Sequence, residues 1–307
     1  MNTSITAVPG IVVGHASSDT DGTGCTVVLG PFRGAVDVRG QATGTREIDT
    51  LKPTHLVPVI DAVLITGGSA PGLASADGVV QWLRERKRGF DVGVTNIPIV
   101  PAAVIFDIHS ADQRSPDAAM GQAACAAASN APAAEGRVGA GTGATVGKLR
   151  GPEHAAPGGV GSFAQRCGDY TVGALAVVNA FGDVLDYQGR ITAGAQREDG
   201  SFVDTMSTLL GPPQSVSAPP SNTTICVIAT DAPLTRVGLQ TLACMGSSAV
   251  VRRIAPANTI FDGDVVFALS TAQGARELSP PELLTLGVAA QLALEEAILR
   301  AVRPEHS

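Results

Sequence analysis

Short runs of β-branched and aliphatic residues alternate along the chain with longer segments in which apolar residues recur at helical spacing. The short runs predict strands at residues 11–13, 26–29, 62–65, 102–108, 175–178, 224–229 and 265–269. Helical spacing predicts helices over residues 73–83, 118–128, 233–251 and 280–302. Intermixed strands and helices predict a layered α/β sandwich.

Three local signals refine this pattern. Ser115 followed by Pro116 is a helix-start signal, and it predicts that the second helix begins there. Residues 184–187 are expected to pair with strand 175–178 across a turn. Residues 210–221 (LGPPQSVSAPPS) hold four prolines without periodicity, and they predict a linker directly before the apolar strand 224–229.

Composition indicates a well-buried globular protein. Of its 307 residues 44% are hydrophobic and only 16% are charged. The 36 glycines predict many tight turns and close backbone contacts. We expect a single domain over residues 1–307.

The charge pattern argues against a nucleic-acid partner. Net charge is −7, and the densest basic run, residues 84–88, is typical of a solvated helix end. No apolar stretch is long enough to cross a membrane, and residues 1–10 lack the features of a signal peptide. We therefore expect a cytoplasmic protein that binds neither nucleic acid nor membranes.

Cysteines and histidines give no sign of a metal or a disulfide framework. The five cysteines are scattered without a Cys-x-x-Cys pair, and the five histidines fall at no metal-ligand spacing. We expect neither a metal nor a cofactor.

A glycine-rich segment at residues 139–148 (GAGTGATVGK) resembles nucleotide-binding motifs only superficially. No buried strand precedes it, and the residues around Gly147 and Lys148 do not fit a phosphate loop. Lys148 is either a surface lysine or a cation held near reacting groups, and the pattern does not choose between them.

Three polar residues at predicted strand ends are open to two interpretations. Asp262 and Asp264 flank Gly263 as a turn signal or as a pair of carboxylates at the mouth of a strand. Asn179 is either a turn residue or an amide that donates to a developing oxyanion.

The junction between the linker and the apolar strand carries a more specific chemistry. If the chain is cut before Thr223, that residue gains an α-amine with a pKa of roughly 7.7–8.0. The amine can then serve as the base for the hydroxyl of the same residue. The alternative is an ordinary polar turn at Asn222 and Thr223 before a strand.

Eight segments, taken together and in order, resemble a known family. They are residues 8–15 (VPGIVVGH), 23–28 (TGCTVV), 37–40 (DVRG), 66–70 (TGGSA), 139–148 (GAGTGATVGK), 178–180 (VNA), 222–224 (NTT) and 261–264 (FDGD). Over nearly its whole length the chain resembles the DmpA family of L-aminopeptidases/D-esterases, with its β-peptidyl aminopeptidases and 6-aminohexanoate-oligomer hydrolases.

The resemblance implies a four-layer αββα sandwich, similar to other N-terminal-nucleophile hydrolases but connected differently. It also implies self-cleavage into residues 1–222 and 223–307. By resemblance, Thr223 is the nucleophile and Asn222 supplies the cleaved carbonyl, while Asn179 is the oxyanion-site amide and Lys148 lies near the nucleophile. Asp262 and Asp264 match the acidic pair that orients the catalytic amine and hydroxyl.

The chain departs from the family where the substrate pocket is expected. Phe106 stands where several active members have Tyr, so a hydroxyl is missing there. Beside Gly68 and Ser69, Pro71 replaces an aromatic residue and should reshape the pocket wall. These differences bear on substrate choice more than on self-cleavage.

The sequence therefore predicts a self-processing hydrolase that acts on small peptides, amides or esters through a Thr223 acyl-enzyme. The resemblance further implies a homo-oligomer, a tetramer of processed heterodimers. Two alternatives stay open: an acyltransferase of the ornithine acetyltransferase type, which shares the superfamily, and an unprocessed binding protein that has lost the chemistry.

Overall fold

The computed structural model describes residues 2–211 and 222–303. Most of the predicted linker at 210–221 lies outside the described residues. The described strands are β1 (Val12–Ser18), β2 (Thr23–Val38), β3 (Thr45–Arg46), β4 (Ile60–Thr66), β5 (Phe90–Asp91), β6 (Asn96–Ile97), β7 (Ala102–Val104), β8 (Thr145–Val146), β9 (Ala156–Pro157), β10 (Gly159–Cys167), β11 (Tyr170–Asn179), β12 (Asp183–Leu185), β13 (Ile191–Ala193), β14 (Thr223–Thr230), β15 (Ile254–Ala255) and β16 (Val265–Ser270). The described α-helices are α1 (Ser69–Gly72), α2 (Ser75–Glu85), α3 (Ala118–Ala126), α4 (Thr205–Leu209), α5 (Arg236–Arg253) and α6 (Pro280–Arg300).

The main sheet runs in the order β10-β11-β14-β16-β2-β4-β7-β3, with β1 paired to β2. Strand β2 belongs to both halves of this sheet. Its residues 25–29 pair with β4, its residues 33–38 pair with β16, and the register is irregular between Leu29 and Phe32. The sheet therefore folds over at the middle of β2, and its two halves face each other.

Apolar side chains fill three layers around these halves. One cluster lies between them and joins Val28 and Ile65 of one half to Val227 and Phe267 of the other. The outer face of one half packs on α5 and α6, and the outer face of the other packs on α2 and α3. The predicted αββα sandwich is confirmed.

Strand β14 lies at the centre of its half, antiparallel to β11 and parallel to β16. Ile225 and Val227 face the layer between the sheet halves, whereas Cys226 and Ile228 face α5 and α6. Because side chains alternate along a strand, Thr223 faces the inner layer and Thr224 the outer helices.

Local structure corrects three predictions. Strand β7 ends at Val104, so residues 105–108 belong to a loop. Helix α3 begins at Ala118 because Asp117, and not Ser115, caps it by accepting a hydrogen bond from the Met120 N–H at 3.0 Å.

The third correction concerns the strand after Asn179. Strand β12 pairs with β13 and β15, and not with β11 as predicted. Both edges of β11 are already taken by β10 and β14.

Among the described residues, no helix has the combined length and apolar character needed to cross a bilayer.

A buried ion pair joins the two helices that cover β14. Glu295 on α6 is fully buried, and its carboxylate lies 2.7 Å from Arg252 Nε and 3.3 Å from Arg253 Nε on α5. Arg253 is itself buried and donates to the Leu185 carbonyl. This pair fixes the register of the two outer helices.

Glu295→Ala is expected to lower the free energy of unfolding by about 3–5 kcal/mol, because it leaves Arg253 buried without its carboxylate. Glu296→Ala, one residue along, removes only partly exposed pairs with Arg300 and Arg303. That control should cost about 0–1 kcal/mol. Urea unfolding measures both, and equal losses would contradict the role given to Glu295.

Candidate active site

Two neighbouring strand ends bring two of the predicted site residues together. Thr223 opens β14 and is directly opposite Asn179, which ends β11. Opposed residues of an antiparallel pair share a face, with Cβ atoms about 4.5–5.5 Å apart. Thr223 is 4% exposed and Asn179 is fully buried. The hydroxyl and the amide therefore face the same inner layer.

The peptide group before Thr223 is held by its neighbouring strand segment. In this uncut chain the Asn222 N–H donates to the Phe261 carbonyl at 2.9 Å, and the Gly263 N–H donates to the Asn222 carbonyl at 2.6 Å. A Cβ on Gly263 would lie 2.8 Å from Thr223 Oγ1. The glycine therefore leaves the room in which the Thr223 hydroxyl lies.

The acidic pair is buried and engaged by backbone amides. Asp264 accepts from the Thr224 N–H at 2.6 Å and from the Asn258 N–H at 2.9 Å. Asp262 accepts from the Thr259 N–H at 2.8 Å. Asp264 therefore binds the backbone N–H of Thr224, the residue that follows Thr223.

Burial sets the charge of this pair. It raises the pKa of Asp264 to about 7, and the neighbouring charge of Asp262 adds to the increase. Burial likewise raises the pKa of Asp262. Because the charge of one carboxylate disfavours ionisation of the other, the two do not titrate independently.

Lys148 is a buried cation, so the surface interpretation of this residue is wrong. Its Nζ donates to Asn179 Oδ1 at 2.7 Å and to the Asn179 carbonyl at 3.1 Å. Burial lowers its pKa to about 7, and the charges of Asp262 and Asp107 oppose that decrease. The lowered pKa of Lys148 therefore lies close to the raised pKa of Asp264.

The hydrogen bonds of the Asn179 side chain identify which of its two amide atoms is the oxygen and which is the nitrogen. Its oxygen accepts from Lys148 and from the Thr145 N–H at 3.1 Å, so it cannot be the nitrogen. Its Nδ2 donates to the Phe106 carbonyl at 2.9 Å. One amide hydrogen is used there, and within residues 2–211 and 222–303 the second has no acceptor. Phe106 thus contributes its backbone carbonyl to this network.

The predicted pocket residues Gly68 and Ser69 form a tight turn at the end of β4. Both have left-handed backbone angles, with φ of 73° and 53°. This conformation costs a non-glycine residue such as Ser69 about 1 kcal/mol, and such residues cluster at functional sites. The Gly68 N–H donates to a carboxylate of Asp107 at 2.6 Å, which brings the turn to the Phe106 loop.

The predicted site residues therefore form one connected cluster, to which the structure adds Asp107 and Gly263. The sequence analysis did not single out Asp107, and it treated Gly263 only as part of a turn. Among residues 2–211 and 222–303, no three His, Cys, Asp or Glu side chains are grouped as metal ligands.

A strand-initial hydroxyl, a fixed amide and a buried lysine thus lie together inside an αββα sandwich. The family model described as Peptidase family S58 matches residues 3–305. The chain belongs to this family, which confirms the resemblance noted from the sequence.

Relatives of the chain carry hydrolase names. The chain is 42% identical to an uncharacterised aminopeptidase of Mycobacterium tuberculosis (strain ATCC 25618 / H37Rv), covering 97% of this chain and 88% of the relative. It is 29% identical to the 6-aminohexanoate-oligomer endohydrolase of Kocuria sp. (strain KY2), covering 96% and 84%.

A solved structure shares the fold. The L-aminopeptidase D-Ala-esterase/amidase of Ochrobactrum anthropi superposes with a TM-score of 0.75 at 21% identity, covering 98% of this chain and 85% of that one. That structure is described as a variant of the N-terminal-nucleophile hydrolase fold. The chain is thus a peptidase-type hydrolase.

Asp264→Asn is expected to stabilise the protein at alkaline pH. The raised folded-state pKa of Asp264 contributes stability at low pH that is lost as the pH rises through about 7, whereas asparagine does not titrate. The stability of the variant relative to the wild type should therefore rise by about 1 kcal/mol or more between about pH 4, near the unfolded-state pKa, and about pH 8. Thermal melting at both pH values measures it, and a gain independent of pH would contradict the assignment.

Proposed function

We propose that the chain cuts itself between Asn222 and Thr223, and that Thr223 then attacks the amide or ester bonds of small peptides or amino-acid-like oligomers. The observation that carries this proposal is the placement of Thr223 Oγ1 against Gly263, whose N–H holds the carbonyl to be attacked. The same hydroxyl shares a face with the Asn179 amide.

In the first stage the Thr223 hydroxyl oxygen attacks the carbonyl carbon of Asn222. Charge develops on the Asn222 oxygen, where the Gly263 N–H stabilises it. The C–N bond breaks, the hydroxyl proton passes to the nitrogen of Thr223, and an ester links the two residues. Water then hydrolyses the ester, which leaves a carboxylate on Asn222 and a free amine and hydroxyl on Thr223.

The cut supplies the base that the second stage needs. An α-amine with a pKa of roughly 7.7–8.0 is partly unprotonated at neutral pH and lies within reach of the hydroxyl of its own residue. Asp264, which binds the next backbone N–H, and Lys148, which binds the opposed Asn179, both have a pKa shifted to about 7. Proton transfer is therefore possible without a separate catalytic histidine.

In the second stage the Thr223 oxygen attacks a substrate carbonyl while the amine takes the hydroxyl proton. The free hydrogen of the Asn179 amide stabilises the oxyanion, and Lys148 keeps that amide in place. The amine returns the proton to the leaving group, and water releases the acyl group from Thr223. The turn at Gly68 and Ser69 and the loop at Phe106 form the wall of the pocket.

The names of the relatives support the substrate class. The names aminopeptidase, amidase and oligomer endohydrolase all describe the hydrolysis of an amide bond, in which an acyl group is transferred to water. We extend the proposal to the assembly, a cytoplasmic homo-oligomer of processed protomers with a tetramer as the expected form. Size-exclusion chromatography with light scattering tests that part.

Thr223→Val should leave a single chain, because valine has the shape of threonine without its hydroxyl. Thr223→Ser keeps a hydroxyl and should still be cut into residues 1–222 and 223–307. Denaturing gels of aged, purified protein compare the two variants with the wild type. Cleavage of the valine variant at the same bond would refute an attack by this hydroxyl.

The processed protein should release the amine product from amino-acid amides and from 6-aminohexanoate oligomers by hydrolysis. Added acceptor amines should not divert most of the acyl group, because water completes the proposed cycle. Mass spectrometry of the products measures this partition. Predominant acyl transfer would favour the acyltransferase alternative, and no turnover by a fully cut protein would favour a binding protein.

A further inference from the structure

Asp107 is a buried carboxylate beside the site, and the mechanism above does not use it. It is 1% exposed. One oxygen accepts from the Gly68 N–H at 2.6 Å, and the other accepts from the Thr23 hydroxyl at 2.7 Å. Burial raises the pKa of Asp107, against the effect of these two donors.

Glycines leave the space that this carboxylate fills. A Cβ on Gly67 would lie 2.3 Å from Asp107 Oδ2, and a Cβ on Gly143 would lie 2.8 Å from Asp107 Cβ. Together with Thr23 and Gly68, these glycines come from three separate segments of the chain. The three segments are the motifs at residues 23–28, 66–70 and 139–148, so three of the motifs noted in the sequence meet at the Asp107 carboxylate.

The backbone just before this carboxylate reaches the Asn179 amide, and its own carbonyl is held by a neighbouring side chain. The Phe106 carbonyl accepts from Asn179 Nδ2 at 2.9 Å, and the Asp107 carbonyl accepts from Gln113 Nε2 at 2.9 Å. Movement of Asp107 would therefore move the acceptor that holds the Asn179 amide.

The charge of Asp107 also acts on Lys148. Asp107 and Asp262 are the two carboxylates whose charges favour the protonated lysine, against the effect of burial. The charge of Asp262 in turn raises the pKa of Asp264. Removing Asp107 leaves the lysine with less negative charge around it.

We propose that Asp107 is the positioning residue of this site: it gathers the three motif segments, fixes the Phe106 carbonyl that orients Asn179, and supplies a counter-charge to Lys148. The catalytic consequence rests on the proposed function, whereas the structural and electrostatic part does not. Asp107 touches no reacting atom, so its effect should pass through Asn179 and Lys148.

The lysine content of the chain permits a direct test. Lys52, Lys87 and Lys148 are its only lysines. NMR of protein labelled with ¹³C at the lysine ε-carbon should therefore show three signals, and Lys148→Arg identifies the one of interest. The full chain carrying Thr223→Val is titrated, so that processing does not change the sample.

Asp107→Asn preserves the shape and both hydrogen-bonding positions while it removes the charge. It is expected to lower the titration midpoint of Lys148 by about one pH unit or more. The matched control is Asp61→Asn, at the opposite end of β4, where a buried carboxylate accepts from the Ile99 N–H at 3.0 Å. The control should leave the midpoint unchanged, and an unchanged midpoint in Asp107→Asn would overturn the electrostatic role.

The cleavage-competent chain tests the catalytic consequence. Asp107→Asn should slow self-cleavage about tenfold at neutral pH, and the loss should shrink as the pH falls because Lys148 regains its proton. Thr23→Val, which keeps the charge but removes one donor, should slow cleavage without this pH dependence. Wild-type rates in Asp107→Asn across the pH range would overturn the proposal. A wild-type chain that never cuts would refute the proposed function and leave the lysine titration valid.

Discussion

The hydrogen bond from the Gly263 amide to the Asn222 carbonyl is the constraint on which the site depends. It fixes one peptide group at the entrance of a central strand that is paired on both edges. A backbone donor held in this way is preorganised, so it needs little rearrangement when charge develops on the oxygen. Because Gly263 has no side chain, the Thr223 hydroxyl can lie beside the same group.

Around this hydrogen bond lie ionisable side chains whose burial is energetically unfavourable. Lys148, Asp107, Asp262 and Asp264 are all buried within a sandwich made largely of valine, leucine, isoleucine and alanine. Burial moves the pKa of the lysine downward and those of the carboxyls upward, toward neutrality. Such groups lower stability but match the proton transfers of acyl chemistry, which is the usual exchange between stability and activity.

Much of the architecture could be predicted from the sequence because it depends on local pattern. The strand after Asn222 is almost wholly apolar, and it was found where expected, between two other strands. The start of α3 was misplaced because Asp117 and Ser115 are both good capping residues, and only tertiary contacts decide between them. The predicted strand 102–108 was too long, because β7 ends at Val104 and the Phe106 carbonyl in the following loop accepts a hydrogen bond from Asn179.

The site residues likewise include some that were predicted from the sequence and some that were missed. The family resemblance assigned Thr223, Asn179 and Lys148 to the site, and the structure brings them together, whereas the sequence pattern alone left each of them open to an ordinary structural interpretation. Asp107 was missed because its partners Gly68 and Thr23 are 39 and 84 residues away in sequence. No periodicity connects residues so far apart. The contribution of Phe106 is a carbonyl, which every residue has, so its side chain gave no signal.

Peptide mapping by mass spectrometry of the mature protein, after a brief reaction with an activated ester substrate, tests the central claim most directly. The account predicts a chain that begins at Thr223 and carries the acyl group on that residue. An intact chain in which the bond between Asn222 and Thr223 survives, or an acyl group on another residue, would contradict it.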